Sequence, residues 1–165
     1  MTLDENATPE QVVWVLLSAI REDVRTKVDT QDWNDLMKLQ CQLANVELLR
    51  SRVDTAGRGR YLDSDSLFYS IVRGWAPALN GYAEYFDDEF EAAKARMTSK
   101  PINDPRLPEK YHPIQVVNYV LQAAEFDGPV GLNRGVNIQF ALSRTQNGYW
   151  RVYAVSLGPP PSLAN

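Results

Sequence analysis

Apolar residues recur near the start of the chain at helical spacing. Val13, Leu17, Ile20, Val24 and Val28 follow one another at intervals of four, three, four and four, which sets them on one helical stripe. Thr8 stands before Pro9, and Gln11 three positions on completes a capping box. This pattern predicts a helix over 9–28, with Arg21, Glu22, Asp23, Arg25 and Lys27 on its other faces. Asp29-Thr30-Gln31-Asp32 breaks the stripe and opens a second helix. Its inward side carries Trp33, Leu36, Met37, Gln40 and Cys41, and it continues toward Leu43 and Val46.

Residues 55–60 read as a polar linker, and Asp63 and Asp65 cap a segment containing Leu67, Phe68, Ile71 and Val72. A helix from Tyr82 to about Arg96 follows, with Tyr85, Phe86, Phe90 and Ala93 inward and Asp87, Asp88, Glu89 and Glu91 outward. Four prolines within 99–113 predict a loop. Beyond Pro113 the period changes to two. A strand over 116–126 shows Val117, Tyr119, Leu121 and Ala123 on one face. In the next strand Val136, Ile138, Phe140 and Leu142 alternate with Asn137, Gln139, Ala141 and Ser143. Asn147-Gly148 signals a hairpin, and 149–157 returns as its partner strand.

Helices first and antiparallel strands last define an α+β fold: N-terminal helices packed on a curved antiparallel sheet with a C-terminal β-hairpin. The expectation is one domain over 8–158, with flexible tails at 1–7 and 159–165. No apolar run approaches the roughly 20 residues of a membrane span. The expected protein is soluble, either cytoplasmic or exported after removal of a leader outside this chain.

A two-residue Asn147-Gly148 loop fixes a register in which Ile138 faces Leu157, Phe140 faces Val155, Leu142 faces Tyr153 and Arg144 faces Arg151. These pairs share one sheet face, so an apolar wall ends in two arginines. Opposed like charges need a compensating group, and an anion held at the mouth of an apolar pocket supplies one. The expected ligand-binding residues are Tyr119, Phe140, Leu142 and Tyr153 on the wall and Arg144 and Arg151 at the rim.

Composition narrows the chemistry further. A net charge of −4 argues against a general polyanion binder, although Arg50, Arg52, Arg58 and Arg60 form one basic cluster. One cysteine, Cys41, and one histidine, His112, leave neither a disulfide framework nor a zinc site, and no metal or cofactor is expected. Asp87-Asp88-Glu89 beside Tyr85 and Phe86 offers a carboxylate that burial among aromatics would turn into a general base.

The opening helix 9–28, the second helix from Asp29-Thr30-Gln31-Asp32-Trp33 and the closing strand Tyr149-Trp150-Arg151-Val152-Tyr153-Ala154-Val155 resemble the nuclear-transport-factor-2-like superfamily. The middle of the chain, 50–110, departs from that pattern. The resemblance implies a cone-shaped α+β fold whose members include isomerases, dehydratases, transport adaptors and small pocket proteins. The first reading is a non-catalytic module holding a small amphipathic ligand or a protein segment in the cone. The alternative is a small lyase or isomerase using one buried carboxylate. The outer sheet face, with Asn137, Gln139, Ala141, Ser143 and Thr145 beside Trp150, Val152, Ala154 and Ser156, is uncharged and predicts a homodimer. The competing expectation is that segment 99–113 covers Trp150.

Overall fold

The computed structural model describes residues 6–25, 42–45, 47–49, 79–122 and 135–159. Helix α1 spans Pro9–Arg25. Its capping box closes as the sequence predicts: Thr8 N–H donates to Gln11 Oε1 at 2.8 Å, and Gln11 N–H to Thr8 Oγ1 at 3.2 Å. Val12, Val13, Leu16, Leu17 and Ile20 are buried in the main core. Arg21 departs from its expected place on a solvated face, being only 6% exposed. Ala7, assigned above to a tail, is buried against the same core.

Four strands form one antiparallel sheet in chain order: β1 Met97–Ile102, β2 Ile114–Leu121, β3 Val136–Arg144 and β4 Trp150–Gly158. With α1 and the short helix α2, Phe90–Ala95, this makes an α+β fold ending in a hairpin. The rows of the sheet run straight across it. Met97, Tyr119, Ile138 and Leu157 make one row, and Ser99, Val117, Phe140 and Val155 the next on the same face. Tyr119, Ile138, Val117 and Phe140 have no solvent exposure, because α1 lies across that face.

Strand β1 corrects the loop expected over 99–113. Val120 N–H donates to Arg96 O at 3.2 Å, so alternation along the ladder turns residues 98, 100 and 102 toward β2 and 97, 99 and 101 outward. Pro101 thus sits where its missing N–H removes no bond, the position in which an edge strand tolerates proline. The remainder of the segment is a loop with a 3-10 turn, Glu109–Tyr111.

The helix expected from Tyr82 to Arg96 is also broken. A 3-10 turn covers Ala83–Tyr85, Phe86 is extended, and α2 begins only at Phe90. Tertiary partners replace the helical bonds there. Arg21 Nη1 donates to Phe86 O at 3.3 Å and to Asp87 O at 2.6 Å, while Asp87 N–H donates to Tyr119 Oη at 3.2 Å.

The hairpin register holds near the core and shifts at the tip. Ile138 faces Leu157 and Phe140 faces Val155, but Leu142 faces Val152, Ser143 faces Arg151 and Arg144 faces Trp150. Gly148 N–H donates to Thr145 O at 2.9 Å and Thr145 N–H to Tyr149 O at 2.8 Å, which encloses a three-residue loop. No described residue other than glycine has a positive φ, so Asn147 does not adopt the type I′ conformation, whereas Gly148 lies at φ +86°. The longer loop displaces the tip by one residue, and a bulge on β4, where Tyr153 is the extra residue facing the Ala141–Leu142 step of β3, restores the register. A Cβ at position 148 meets nothing within 4 Å, so Gly148→Ala is expected to cost about 1 kcal/mol from backbone conformation alone. Urea denaturation checks this.

The shift also redistributes the outer face. Val152 and Trp150 turn to the main core, while Tyr153 joins a second core on the opposite side with Ala44, Leu48, Leu49, Leu107, Tyr111 and Ile114. Ala141 and Ala154 pack there too. Segment 99–113 therefore supplies Leu107 and Tyr111 to the outer face, whereas Trp150 packs against the main core. Residues 43–45 are extended rather than helical: Val152 N–H donates to Leu43 O and Asn45 N–H to Val152 O, both at 2.8 Å, and Ala44 forms a parallel bridge to Val152. Asn45, fully buried, donates from Nδ2 to Ser143 Oγ at 2.5 Å and accepts Leu48 N–H at 3.2 Å.

Candidate functional site

Of the six expected ligand residues, Tyr119, Phe140 and Leu142 share the inner face with zero exposure, filled over by α1. Tyr153 lies in the other core, so it does not line the same wall. Cys41 and the cluster Arg50, Arg52, Arg58 and Arg60 lie outside the described residues, as does Ala123.

Arg144 and Arg151 both stand at the hairpin tip, though not opposite one another. Arg144 pairs with Trp150 and Arg151 with Ser143, which points the two guanidinium groups to different sides of the hairpin. Each is held by an aromatic ring. The Arg144 guanidinium carbon lies 4.7 Å from the Trp150 ring centre, and that of Arg151 lies 5.3 Å from Tyr149. Arg151 Nη1 also donates to Trp150 O at 2.8 Å. Burial pulls the Arg151 pKa down, with the nearby Tyr149 acting the other way, and the guanidinium stays charged. Among the described residues neither arginine is paired with a carboxylate. Glu47, the acid at this end, accepts Gln146 N–H at 3.1 Å.

The acidic run 87–89 is divided in the structure. Asp88 is exposed and pairs with Arg21 at 3.2 Å and Arg25 at 3.6 Å. Asp87 turns inward instead. Its Oδ2 accepts Tyr119 Oη–H at 2.6 Å and Arg96 Nε–H at 2.8 Å. Burial, reinforced by the bond donated to Asp87, raises the Tyr119 pKa well above the ordinary tyrosine range. Two donors on one oxygen, with the backbone of Asp87 bound to the same phenol, make this a clamp on the 86–88 turn.

His112 is similarly engaged. Nδ1 lies 3.1 Å from Pro108 O, and Nε2 lies 3.1 Å from Asp104 N and 2.9 Å from Asp104 O. Asp104, itself 5% exposed, accepts Arg106 Nε–H at 2.9 Å and Nη2–H at 3.0 Å. The histidine thus braces the 104–112 loop. Among the described residues no three His, Cys, Asp or Glu side chains gather as a metal site, and no helix is long and apolar enough to cross a membrane.

Fold and site define an α+β protein with a filled inner sheet face and two aromatic-backed arginines at its hairpin tip. Compared with family models, curated proteins and solved structures, the chain gave no match. Sequence reasoning named both arginines but missed the stacking, which the Tyr149-Trp150-Arg151 run carries only if the loop length is known. It set Asp87 outward on a helix while also naming, from the flanking Tyr85-Phe86 pair, a buried carboxylate in 87–89; Asp87 is the one that turns inward, and its bonds to Tyr119 and Arg96 were not foreseen.

Proposed function

We propose that the protein is a non-catalytic binding module of the nuclear-transport-factor-2-like kind that receives an acidic segment of a protein partner on its hairpin tip. The observation that carries this reading is the pair Arg144 and Arg151, each stacked on an aromatic ring and unpaired with any carboxylate among the described residues. Stacking fixes the plane of a guanidinium while its N–H edges remain available to a carboxylate. The filled inner face favours a protein segment over a small molecule in the cone, since α1 already occupies the space beside Phe140 and Leu142. A lyase or isomerase using Asp87 has less support, because the inward oxygen is engaged by both Tyr119 and Arg96.

Fluorescence anisotropy with a labelled glutamate-rich peptide, and a lysine-rich peptide of equal length, tests the proposal. The acidic peptide is expected to bind in a salt-sensitive manner, and the double variant Arg144→Ala/Arg151→Ala to weaken it about tenfold or more. Equal binding of both peptides, or undiminished binding by the double variant, would overturn it.

A further inference from the structure

Three buried polar atoms on α1 have no hydrogen-bond partner among the described residues: Trp14 Nε1, Ser18 Oγ and Arg21 Nε. Positions 14, 18 and 21 are related as i, i+4 and i+7, so they fall along one line of the helix. That line faces the segment around α2. Trp14 meets the Phe90 ring edge-on at 5.7 Å, and Arg21 reaches the 86–88 turn. Ser18 is 1% and Arg21 6% exposed, whereas Trp14 and Phe90 are half-buried.

The anchoring of Arg21 is one-sided. Its described contacts, to Phe86 O, Asp87 O and Asp88 Oδ1, all fall on Nη1. The Nε edge is the one with which Arg106 chelates the Asp104 carboxylate in this same protein. In Arg21 that edge is held in place by the bonds to Nη1 and turned, unpaired, along a buried surface. Ser18 adds a hydroxyl one turn away, and Trp14, one further turn toward the start of the helix, adds an indole N–H. All three atoms can donate, so an acceptor complements them together, and the Nε edge of the guanidinium favours a carboxylate oxygen, as at Asp104.

We propose that Trp14, Ser18 and Arg21 form a binding site for a small amphipathic carboxylate. The acid group lies between Arg21 Nε and the Ser18 hydroxyl. The apolar body lies along the Trp14–Phe90 pair, which is the half-buried and therefore solvent-reachable end. An oxygen in that body accepts the Trp14 indole N–H. This site stands apart from the hairpin tip and rests on separate residues.

Proton–nitrogen correlation spectra resolve tryptophan indole and arginine Nε–H signals, so octanoate and 5-oxooctanoate report on the site directly. Saturable, concerted shifts of the Trp14 and Arg21 signals are expected with both, with the keto acid binding several-fold tighter. Octylammonium is expected to produce neither shift. Arg21→Lys keeps the charge but removes the Nε edge, and it is expected to weaken octanoate about tenfold. Ser18→Ala covers the case in which that variant fails to fold: it is expected to raise the Tm of the ligand-free protein while weakening octanoate several-fold. The proposal is overturned if shifts fail to saturate by about 10 mM, if octylammonium binds equally, or if Ser18→Ala leaves octanoate binding unchanged.

Discussion

Phe140→Ala is expected to lower the free energy of unfolding by about 3–5 kcal/mol. The ring has no solvent exposure and sits in the middle of a row formed by Ser99, Val117, Phe140 and Val155, under α1. Truncation there removes buried apolar surface and leaves a cavity whose walls belong to two layers, the helix and the sheet. Against a typical total stability of about 5–15 kcal/mol, the loss is large. Urea denaturation is the measurement, with the midpoint falling while the slope is kept. A loss under about 1 kcal/mol would mean that the ring borders open space, and the ligand-pocket expectation for this residue would return.

Tyr119→Phe is expected to cost about 1–3 kcal/mol near neutral pH, although the ring is kept. Its hydroxyl donates to Asp87 Oδ2 at 2.6 Å and accepts Asp87 N–H at 3.2 Å, so its removal leaves two groups of the 86–88 turn short of a partner. The pH dependence has a definite sign. Burial first, and the bond to Asp87 second, raise the Tyr119 pKa in the folded protein. An unfolded tyrosine ionises near pH 10, so the contribution is complete below about pH 10 and is lost as pH rises beyond it. The parent protein should therefore lose stability more steeply above about pH 10 than Tyr119→Phe does. The chain has eight tyrosines, which makes the difference between parent and variant the relevant quantity. Parallel alkaline limbs would remove the clamp from the account.

Local patterns that depend on near neighbours were legible in the sequence. Thr8 and Gln11 cap α1 as their spacing requires, and the alternation through Val117, Tyr119, Ile138 and Phe140 gives the buried face correctly. Alternation does not say what lies above that face. An empty cone and a helix laid across the sheet demand the same apolar residues, and α1 makes it the second. The tip was ambiguous for a different reason. Asn-Gly serves a two-residue loop with both residues at positive φ, or a three-residue loop with glycine alone there. One residue of difference moved Trp150 to the inner side and separated Arg144 from Arg151. Arg21 reads as a solvated charge because the carbonyls that hold it, Phe86 O and Asp87 O, are 65 and 66 positions away in sequence, and Asp87 because its partner Tyr119 is 32 positions away on a strand. Pro101 reads as a breaker because sequence alone does not reveal which side of an edge strand its nitrogen faces.

The pairing of Leu43 and Asn45 with Val152 bears on how the chain is made. The Asn45 side chain meets Ser143, 98 positions later, and α1 packs beneath strands that begin only at Met97 and end at Gly158. At about 5–20 residues per second of synthesis, α1 waits roughly 7–27 s before its sheet is complete. During that interval the stripe of Val13, Leu17 and Ile20 has no strand to cover it. A chaperone that engages nascent apolar helices should therefore associate with this chain early and leave it only when the closing hairpin has emerged.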